Sequence, residues 1–283
     1  MSGPERSQAT EAPGVPHAER RALLATCVAA AARGAEVVRA GAADRAGLAW
    51  EAKSPADFVS EVDRASEHVI ATIVRERHPD ARMVGEELSP DAAADLRGLA
   101  FIADPLDGTT NFLHGFPWYA VSVGAAVDGA LVAGAVVNVP TGELFTATAS
   151  DGARRNGEPI RVSTETDPAR SLLGTGFPFK HREHIGTYLE SLPRLMRATA
   201  GIRRPGAAAL DLTDVACGRF EAFWELMLAP WDIAAGTLIV REAGGLVTDL
   251  EGRPAPVAHG PIVAGNPAMH AWLLEQLRAP HSS

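Results

Sequence analysis

The hydrophobic positions of the first part of the chain repeat at helical spacing. Apolar residues dominate 22–32 and continue with the same spacing through Val37 and Val38, which predicts a first amphipathic helix. The segment 60–77 sets apolar residues among charged ones and predicts a second helix that ends near Pro79. Two helices therefore precede the first strands.

Short apolar runs bounded by turn residues follow and predict strands. The runs "ARMVGEE" (81–87) and "LAFIADP" (99–105) have the length of buried strands. Between 119 and 148, β-rich runs alternate with turns and predict an antiparallel meander, extended by a further hairpin. The turn signals are Asp128-Gly129, 140–142, Asp151-Gly152 and Asn156-Gly157.

The second half of the chain mixes both patterns. Helices are predicted for 206–216, 232–243 and 268–277, with a strand at 220–226 between the first two. Helices combined with largely antiparallel sheets indicate a layered α/β or α+β architecture, not a Rossmann fold.

Composition narrows the class of protein. With 46% hydrophobic and 22% charged residues, the chain is typical of a globular enzyme. A formal net charge of −9 argues against nucleic-acid binding, and an anionic substrate would need a cation between itself and the acidic residues. No run is apolar enough to predict a membrane span. Cys27 and Cys217 are too few for a disulfide framework, which indicates a reducing, cytoplasmic location.

The domain organisation follows from the same patterns. Residues 1–17 are rich in Pro, Gly, Ser and Glu and predict a disordered lead-in. The rest, 18–283, is long enough for one large domain, which we divide into sub-lobes at about 18–150 and 151–283.

The stretch "ADPLDGTTNF" (103–112) is the strongest candidate for chemistry. Asp104 and Asp107 stand at the carboxyl end of a predicted strand, and Gly108 turns the chain into a helix that begins with threonines. Carboxylates are ligands that Mg²⁺ prefers, and free N–H groups at a helix start bind phosphate. Carboxylates would repel a phosphate bound beside them, unless metal ions lie between the two sets of negative charges.

Other acidic residues also stand where a predicted strand ends or a predicted helix begins. Glu86 and Glu87 end one strand, and an adjacent carboxylate pair repels unless a cation or solvent relieves it. Asp63 and Asp232 stand at helix starts, where helix capping is the alternative explanation. Together with Asp104 and Asp107, these residues predict a site for divalent cations.

Other phosphate chemistries fit the sequence less well. A phospho-aspartyl enzyme would place its aspartates two residues apart, which "DPLDGT" does not do. A Walker-type loop would need a glycine run ending in Lys-Ser or Lys-Thr, and none is found. His114 lies near the motif without an evident partner, so we interpret it as structural.

The motifs resemble those of the inositol monophosphatase family of Mg²⁺-dependent, lithium-sensitive phosphatases. The resemblance runs from about Arg20 to Leu277 and rests on "GEE", "DPLDGTTNFLHGFPWYAVSVG" and "WDIAAGTLIVREAGG" in the family's order. It implies a five-layered αβαβα sandwich of the inositol monophosphatase and fructose-1,6-bisphosphatase type, usually a homodimer.

The resemblance also implies roles for individual residues. Asp63, Thr109 and Glu86 would be catalytic, with Asp63 and Thr109 activating a water that attacks phosphorus directly. Lys53 and Asp57 would support the site electrostatically. The implied ligands of roughly two or three Mg²⁺ ions are Glu86, Asp104, the Leu106 carbonyl, Asp107 and Asp232. The implied substrate-binding residues are Asp107, Gly108, Thr109, Gly206, Ala207, Ala208 and Glu225.

The substrate is less well determined than the reaction. Inositol 1-phosphate fits the branch that "GFPWYAVSVG" resembles most, while fructose 1,6-bisphosphate, histidinol phosphate and phosphoadenosine phosphate are alternatives served by the same scaffold. Ala207 replaces the Ser or Thr of many relatives and removes a possible hydrogen bond to substrate. A different class, a regulatory protein bound to the RNA-synthesis machinery, is the remaining alternative.

Overall fold

The structure is a computed structural model. It describes residues 14–48, 50–54, 57–90, 95–255 and 257–279, apart from the side chains of Ala46, Ser54 and Asp57. Most of the segment predicted as a disordered lead-in, residues 1–13, lies outside the described residues. His17 already begins the first helix, directly after Pro16.

Two helices cover one face of a large sheet. Helix α1 (His17–Ala43) and helix α2 (Glu61–Arg77) pack on each other, and a small hairpin of β1 (Trp50–Ser54) and β2 (Asp57–Ser60) lies between them in the chain. The Ser60 hydroxyl and the Asp63 carboxylate form a capping box that begins α2. Both predicted helices are confirmed within a few residues at their ends. The prediction that two helices precede the first strands is wrong, because β1 and β2 lie between them in the chain.

The first sheet has seven strands in the order β3-β4-β5-β6-β7-β8-β9. Only β3 and β4 pair in parallel, and the other neighbours are antiparallel, as the predicted meander requires. Its strands are β3 (Arg82–Gly85), β4 (Leu99–Asp107), β5 (Ala120–Val127), β6 (Ala130–Asn138), β7 (Leu144–Thr148), β8 (Gly152–Arg155) and β9 (Glu158–Pro159), with the short helix α3 (Thr109–His114) after β4.

The second sheet has five strands in the order β11-β10-β12-β14-β13. It is mixed, because β10 pairs in parallel with both β11 and β12 while β12, β14 and β13 pair antiparallel, so the expectation of largely antiparallel sheets holds fully only for the first sheet. Its strands are β10 (Leu172–Thr175), β11 (Gly201–Arg203), β12 (Ala222–Leu228), β13 (Leu246–Thr248) and β14 (Gly260–Gly265).

Four helices complete the layers. Helix α5 (Ala208–Ala216) and helix α6 (Pro230–Glu242) lie between the two sheets, and α4 (Ile185–Ala198) and α7 (Pro267–Arg278) cover the outer face of the second. Helix α6 is apolar on all sides, which is typical of a helix buried between layers. The order helix, sheet, helix, sheet, helix confirms the predicted five-layered sandwich.

Some elements were not predicted. They include the hairpin of β1 and β2, strands β10, β11, β13 and β14, and helix α4, although α4 is strongly amphipathic. Strands β8 and β9 extend the first sheet past residue 150, where we placed the sub-lobe boundary. The division into sub-lobes itself stays a prediction.

A buried histidine links α7 to the second sheet. The His270 Nε2 atom lies 2.9 Å from the Thr248 hydroxyl. Burial, with a smaller contribution from Arg278, lowers the pKa of His270 to about 4. The imidazole is therefore neutral in the folded protein at neutral pH.

We expect this histidine to destabilise the fold at acidic pH. Below about pH 6.5, His270 is protonated in the unfolded chain but stays neutral in the folded protein. The free energy of unfolding therefore falls as the pH drops towards 4. Relative to His270→Gln, the wild type should lose roughly 2 kcal/mol of unfolding free energy across that range. Urea unfolding at several pH values measures the difference. Replacing the exposed His68 by Gln is the control, and a pH-independent difference for His270→Gln would contradict the prediction.

Candidate active site

A pocket of about 540 Å³ gathers residues from both sheets and from the helices between them. It lies where β4 ends, where α5 and α6 begin, and along β12. The structure brings most of the residues predicted for the site into this one pocket. Those that line it are Lys53, Glu86, Asp104, Leu106, Asp107, Gly108, Thr109, Gly206, Ala208, Glu225 and Asp232.

Three predicted residues stand apart from the pocket lining. Asp63 is buried behind Thr109 and reaches the pocket through that hydroxyl. Ala207 precedes α5 and is only 1% exposed, so its side chain is packed in the core beside the pocket. Asp57 begins β2, and its side chain lies outside the described residues.

A bulge in β4 brings the two motif aspartates to one side. In a regular strand, residues three positions apart face opposite sides of the sheet. Asp104 pairs with Ser122 and Asp107 with Ala120, so β4 uses one more residue than β5 over this stretch. The extra residue turns both carboxylates towards the same pocket.

Backbone N–H groups hold these aspartates in place. The Leu106 N–H donates to Asp104 Oδ1 at 2.9 Å, and the Ala209 N–H at the start of α5 donates to Asp107 Oδ2 at 2.8 Å. The second bond joins residues 102 positions apart in the chain. The aspartate at the end of β4 is therefore tied to the layer between the sheets.

Gly108 allows the tight turn after Asp107. Its φ of 86° lies in the left-handed region. A Cβ there would lie 3.0 Å from the Trp118 carbonyl oxygen and 3.3 Å from the Gly206 carbonyl oxygen. Any larger residue would be strained and crowded at the floor of the pocket.

Asp232 combines a helix cap with a place in the site. It is the third residue of α6, and its Oδ2 atom accepts the Ala229 N–H at 2.7 Å. Its side chain also lines the pocket, as that of Asp104 does. The capping explanation is confirmed for this residue, and its role in the site stays a prediction.

The carboxyl groups in the pocket raise one another's pKa values. Burial is the main cause for Asp104, Asp107 and Asp232, and the repulsion among them and Glu86 adds to it. The pKa of Asp107 rises to about 7 and that of Asp232 to about 6, while that of Asp104 rises well above its ordinary value. A bound cation would relieve this repulsion.

Lys53 is the nearest compensating cation for the glutamates. Its Nζ lies 2.9 Å from Glu86 Oε1 and 2.6 Å from Glu87 Oε1. Burial opposes a charged ammonium, but the two carboxylates outweigh it and raise the pKa of Lys53. The predicted supporting role of Lys53 agrees with this geometry.

Thr109 and Asp63 form a hydrogen-bonded pair at the start of α3. The Thr109 hydroxyl lies 3.0 Å from Asp63 Oδ1 and 3.0 Å from the Leu106 carbonyl oxygen, so its single hydrogen has two possible acceptors. Asp63 Oδ2 accepts from the Ser60 N–H and hydroxyl at 2.9 and 2.5 Å. Burial raises the pKa of Asp63, against these hydrogen bonds.

Glu225 stands on β12 across from the start of α6. Burial, and then the charge of Asp232, raise its pKa to about 8. A Cβ on Gly176 would lie 1.9 Å from Glu225 Oε1, so the glycine makes room for this carboxyl group. Glu225 brings a carboxyl group into the pocket from the second sheet, apart from the aspartates of β4.

Sequence reasoning missed several residues at or beside the pocket. Phe177, Phe179 and Arg204 line it, with the Arg204 guanidinium over both rings at 5.9 and 5.0 Å. Asp211 is fully buried behind it, and Glu67 contacts the turn after Glu86. A charged residue within an otherwise apolar helix pattern is the signal that could have marked Asp211. Glu67 could have been marked by its spacing of three and seven residues from the apolar Ile70 and Val74 on the same helix face.

The pocket fits divalent cations by the chemistry of its donor atoms. Glu86, Asp104, Asp107 and Asp232 offer only oxygen, which hard cations prefer. Within the residues that the structure describes, no group of three or more acidic, histidine or cysteine side chains is arranged to hold a metal ion by itself. The metal-binding role of these carboxylates therefore rests on the chemistry of their oxygen atoms and stays a prediction.

Comparisons with known proteins agree with this fold and pocket. The model of the inositol monophosphatase family matches residues 19–282. An inositol-1-monophosphatase of Rhizobium meliloti (strain 1021) is 41% identical over 261 residues, covering 92% of this chain and 98% of the relative. A protein of Pseudomonas aeruginosa named Nus factor SuhB is 44% identical over 232 residues, covering 81% of this chain and 85% of the relative.

A solved structure extends the comparison to the fold. The extragenic suppressor protein suhB from Bartonella henselae matches with a TM-score of 0.85 and 40% sequence identity, over 91% of this chain and 98% of that one. Fold and site together define a phosphatase of small molecules. The chain belongs to the inositol monophosphatase family, as its motifs predicted.

Proposed function

We propose that this enzyme hydrolyses inositol 1-phosphate to myo-inositol and phosphate with Mg²⁺ as cofactor. The observation that carries the proposal is the convergence of Glu86, Asp104, Asp107 and Asp232 in one pocket with the Thr109 hydroxyl. The name of the Rhizobium relative supports the same substrate.

Glu86, Asp104, the Leu106 carbonyl, Asp107 and Asp232 would hold the metal ions. When bound, roughly two or three Mg²⁺ ions neutralise the phosphate, lower the pKa of the attacking water and stabilise the leaving alkoxide. The chain itself supplies the ligands and keeps them fixed through the backbone donors of Leu106, Ala209 and Ala229.

Asp63 and Thr109 would aim and deprotonate the water. Thr109 donates its hydrogen to Asp63 and can then accept one from water through its free lone pair. Asp63 is held by Ser60, so the acceptor does not rotate away. Direct attack on phosphorus needs no covalent intermediate. The N–H groups of Gly108 and Thr109 would contact the phosphate at the start of α3.

The substrate's hydroxyl groups would lie against Gly206, Ala208 and Glu225. All three line the pocket beside Asp107. Ala207 is buried at the same turn and cannot offer the hydroxyl that Ser or Thr would bring. We propose that Glu225 accepts hydrogen bonds from the polyol.

We expect Glu225→Gln to raise KM for inositol 1-phosphate more than it lowers kcat. Replacing the carboxyl group by an amide removes one of the two oxygens that can contact the polyol, which weakens binding of the ground state and the transition state alike. Steady-state kinetics at saturating Mg²⁺ measures both constants. Glu190→Gln, on the outer helix α4, serves as control. A large fall in kcat at unchanged KM would assign Glu225 to metal or proton chemistry instead.

Chelation is the simplest test of the cofactor. We expect excess EDTA to abolish phosphate release and added Mg²⁺ to restore it, because the mutually repelling carboxylates cannot bind an anionic ester without cations. A colorimetric phosphate assay measures the loss and the recovery. Full activity in excess chelator would exclude the proposed mechanism.

A substrate panel tests the specificity. Phosphate release is measured from inositol 1-phosphate, fructose 1,6-bisphosphate, histidinol phosphate and phosphoadenosine phosphate with Mg²⁺. The proposal requires the highest kcat/KM for inositol 1-phosphate. A higher kcat/KM for another ester would uphold the proposed phosphatase reaction but show that inositol 1-phosphate is not the preferred substrate.

We propose lithium sensitivity and a cytoplasmic location as further properties. Lithium would compete for a Mg²⁺ position formed by the carboxylates. The cytoplasmic location is supported by Cys27 and Cys217, which are both free. The described helices include none that is long and apolar enough to cross a membrane.

We also propose a homodimer. Helix α4 exposes Ile185, Leu189 and Met196 by 40%, 55% and 64%. Positions separated by four and seven residues lie on one face of a helix, so these side chains form one apolar stripe. A second copy of the chain would cover it, and the mass from light scattering is the measurement that decides.

The regulatory alternative keeps support of its own. The Pseudomonas relative is named Nus factor SuhB, which fits a protein that binds the RNA-synthesis machinery. A protein with this second role can retain all of the proposed metal-binding residues. Our expectation that the acidic chain does not bind nucleic acid directly stays a prediction. Pull-down of RNA polymerase components with the wild type tests the regulatory role.

A further inference from the structure

One face of α2 contacts three separate segments of the pocket wall. Asp63 accepts from Thr109, the Ser66 hydroxyl donates to the Pro105 carbonyl at 2.8 Å, and Glu67 accepts from the turn after β3. Positions 63, 66 and 67 share a helix face because they are three and four residues apart. The helix is therefore a common support for the segments that carry Thr109, Asp104 and Glu86.

Glu67 makes the contact to the turn that carries Glu86. Its Oε2 accepts the Glu87 N–H at 2.7 Å, and its Oε1 accepts the Leu88 N–H at 3.0 Å. The side chain is 0% exposed. Both oxygens are therefore used on two successive N–H groups directly after Glu86.

Gly85 makes room for this carboxylate. A Cβ at position 85 would lie 2.0 Å from Glu67 Oε1 and 2.7 Å from its carboxyl carbon. Gly85 is the last residue of β3, and its φ is not among the positive values of the chain. Space for Glu67, and not backbone conformation, explains the glycine of "GEE".

The arrangement has an electrostatic cost. Glu67 is a buried carboxylate close to Glu86, and burial, with the charge of Glu86, raises its pKa against the two hydrogen bonds. An apolar residue would avoid that cost but would leave the two N–H groups without these acceptors. Lys53 holds the other side of the turn through Glu86 and Glu87.

We propose that Glu67 is a positioning residue that fixes Glu86 for metal binding through the N–H groups of Glu87 and Leu88. This inference rests on the proposed Mg²⁺ site and assigns a role to a residue that lies outside it. Glu67 touches neither substrate nor metal in this arrangement. Groups that orient metal ligands typically change metal affinity by roughly 10- to 100-fold when they are replaced.

The test is Mg²⁺ binding by calorimetry to Glu67→Gln. Glutamine keeps the size of the side chain but offers one oxygen and places an NH₂ group against a backbone donor. We expect the Kd for Mg²⁺ to rise roughly 10-fold or more. The activity of the variant should recover towards the wild-type kcat as Mg²⁺ is raised. Glu76→Gln, on the exposed face of α2, is the matched control and should bind Mg²⁺ as the wild type does.

Gly85→Ala tests the same contact from the other side. Its methyl group displaces the Glu67 carboxylate, so we expect a similar rise in Kd. The double variant should bind little more weakly than either single one, because both remove one contact. If Glu67→Gln does not fold, as its circular dichroism would show, Gly85→Ala decides alone.

The outcomes separate this inference from the proposed function. A folded Glu67→Gln with lower thermal stability but a Kd within about twofold of the wild type would overturn the positioning role. Weakened Mg²⁺ binding in a protein that releases no phosphate from any ester would uphold it and reject the proposed function. A wild type that binds no Mg²⁺ would overturn both.

Discussion

Asp104→Asn should reduce kcat for phosphate release by roughly 10³-fold or more, because several kcal/mol of transition-state stabilisation depend on the metal ions. Asp104 is 2% exposed and lies among Glu86, Asp107 and Asp232. Asparagine keeps the oxygen that accepts the Leu106 N–H but removes the charge that a cation needs.

The same variant should be at least as stable as the wild type without metal. Removing the Asp104 carboxyl group relieves part of the repulsion that raises the pKa values of Asp107 and Asp232. We expect the metal-free melting temperature to stay equal or rise, and the increase on adding Mg²⁺ to disappear. Differential scanning calorimetry with and without Mg²⁺ measures both. This opposition of stability and function is typical of active sites.

Asp80→Asn is the control for Asp104→Asn. Asp80 is exposed in the turn after α2, so its variant should keep both kcat and the Mg²⁺ response. Wild-type activity of Asp104→Asn at ordinary Mg²⁺ concentrations would remove Asp104 from the metal site. A variant that unfolds without metal would contradict the electrostatic account of the pocket.

Thr109→Ala should lower kcat by roughly 10²- to 10⁴-fold, the range of general acid–base assistance, with little change in KM or Mg²⁺ affinity. The Thr109 hydroxyl carries no charge and lies 3.0 Å from Asp63 Oδ1. Its proposed role is to connect the attacking water to Asp63. Asp63→Asn should give a similar loss. Single-turnover kinetics with inositol 1-phosphate isolates the chemical step from product release.

The double variant decides whether Thr109 and Asp63 act as one unit. Two residues that orient the same water lose little more together than either loses alone. Thr72→Ala, at a half-buried threonine on the helix that carries Asp63, should leave kcat unchanged. Multiplicative losses in the double variant would mean that the two residues act independently, and the water-activating pair would be wrong.

The contiguous part of the site could be predicted from the sequence. Within "DPLDGTTNF", Gly108 determines locally where β4 ends and α3 begins, because its φ of 86° turns the chain between them. The periodicity of α1 and α2 and the apolar run of α6 likewise predicted three helices of the layered fold. The family motifs then indicated which acidic residues belong together.

The spatial relations across the layers came only from the tertiary structure. Strand order in the second sheet places β12, and with it Glu225, beside the start of α6. No local pattern encodes that β10 pairs in parallel with β12, because strand pairing depends on crossovers between distant segments. Helix α4 was missed for a different reason, because its amphipathic pattern is present in the sequence and was not used.

The local sequence determined which side chains are ionisable and where their own strand or helix begins. Only the packed structure decided how far each of these side chains is shielded from water. The pKa of Asp107 rises to about 7 because burial and Asp232 act on it together. The support of Glu86 by Glu67 needs two segments 20 positions apart to meet where Gly85 leaves space. Residues from several layers together bury these side chains and provide their contacts. Both effects therefore arise only when the layers pack around the pocket.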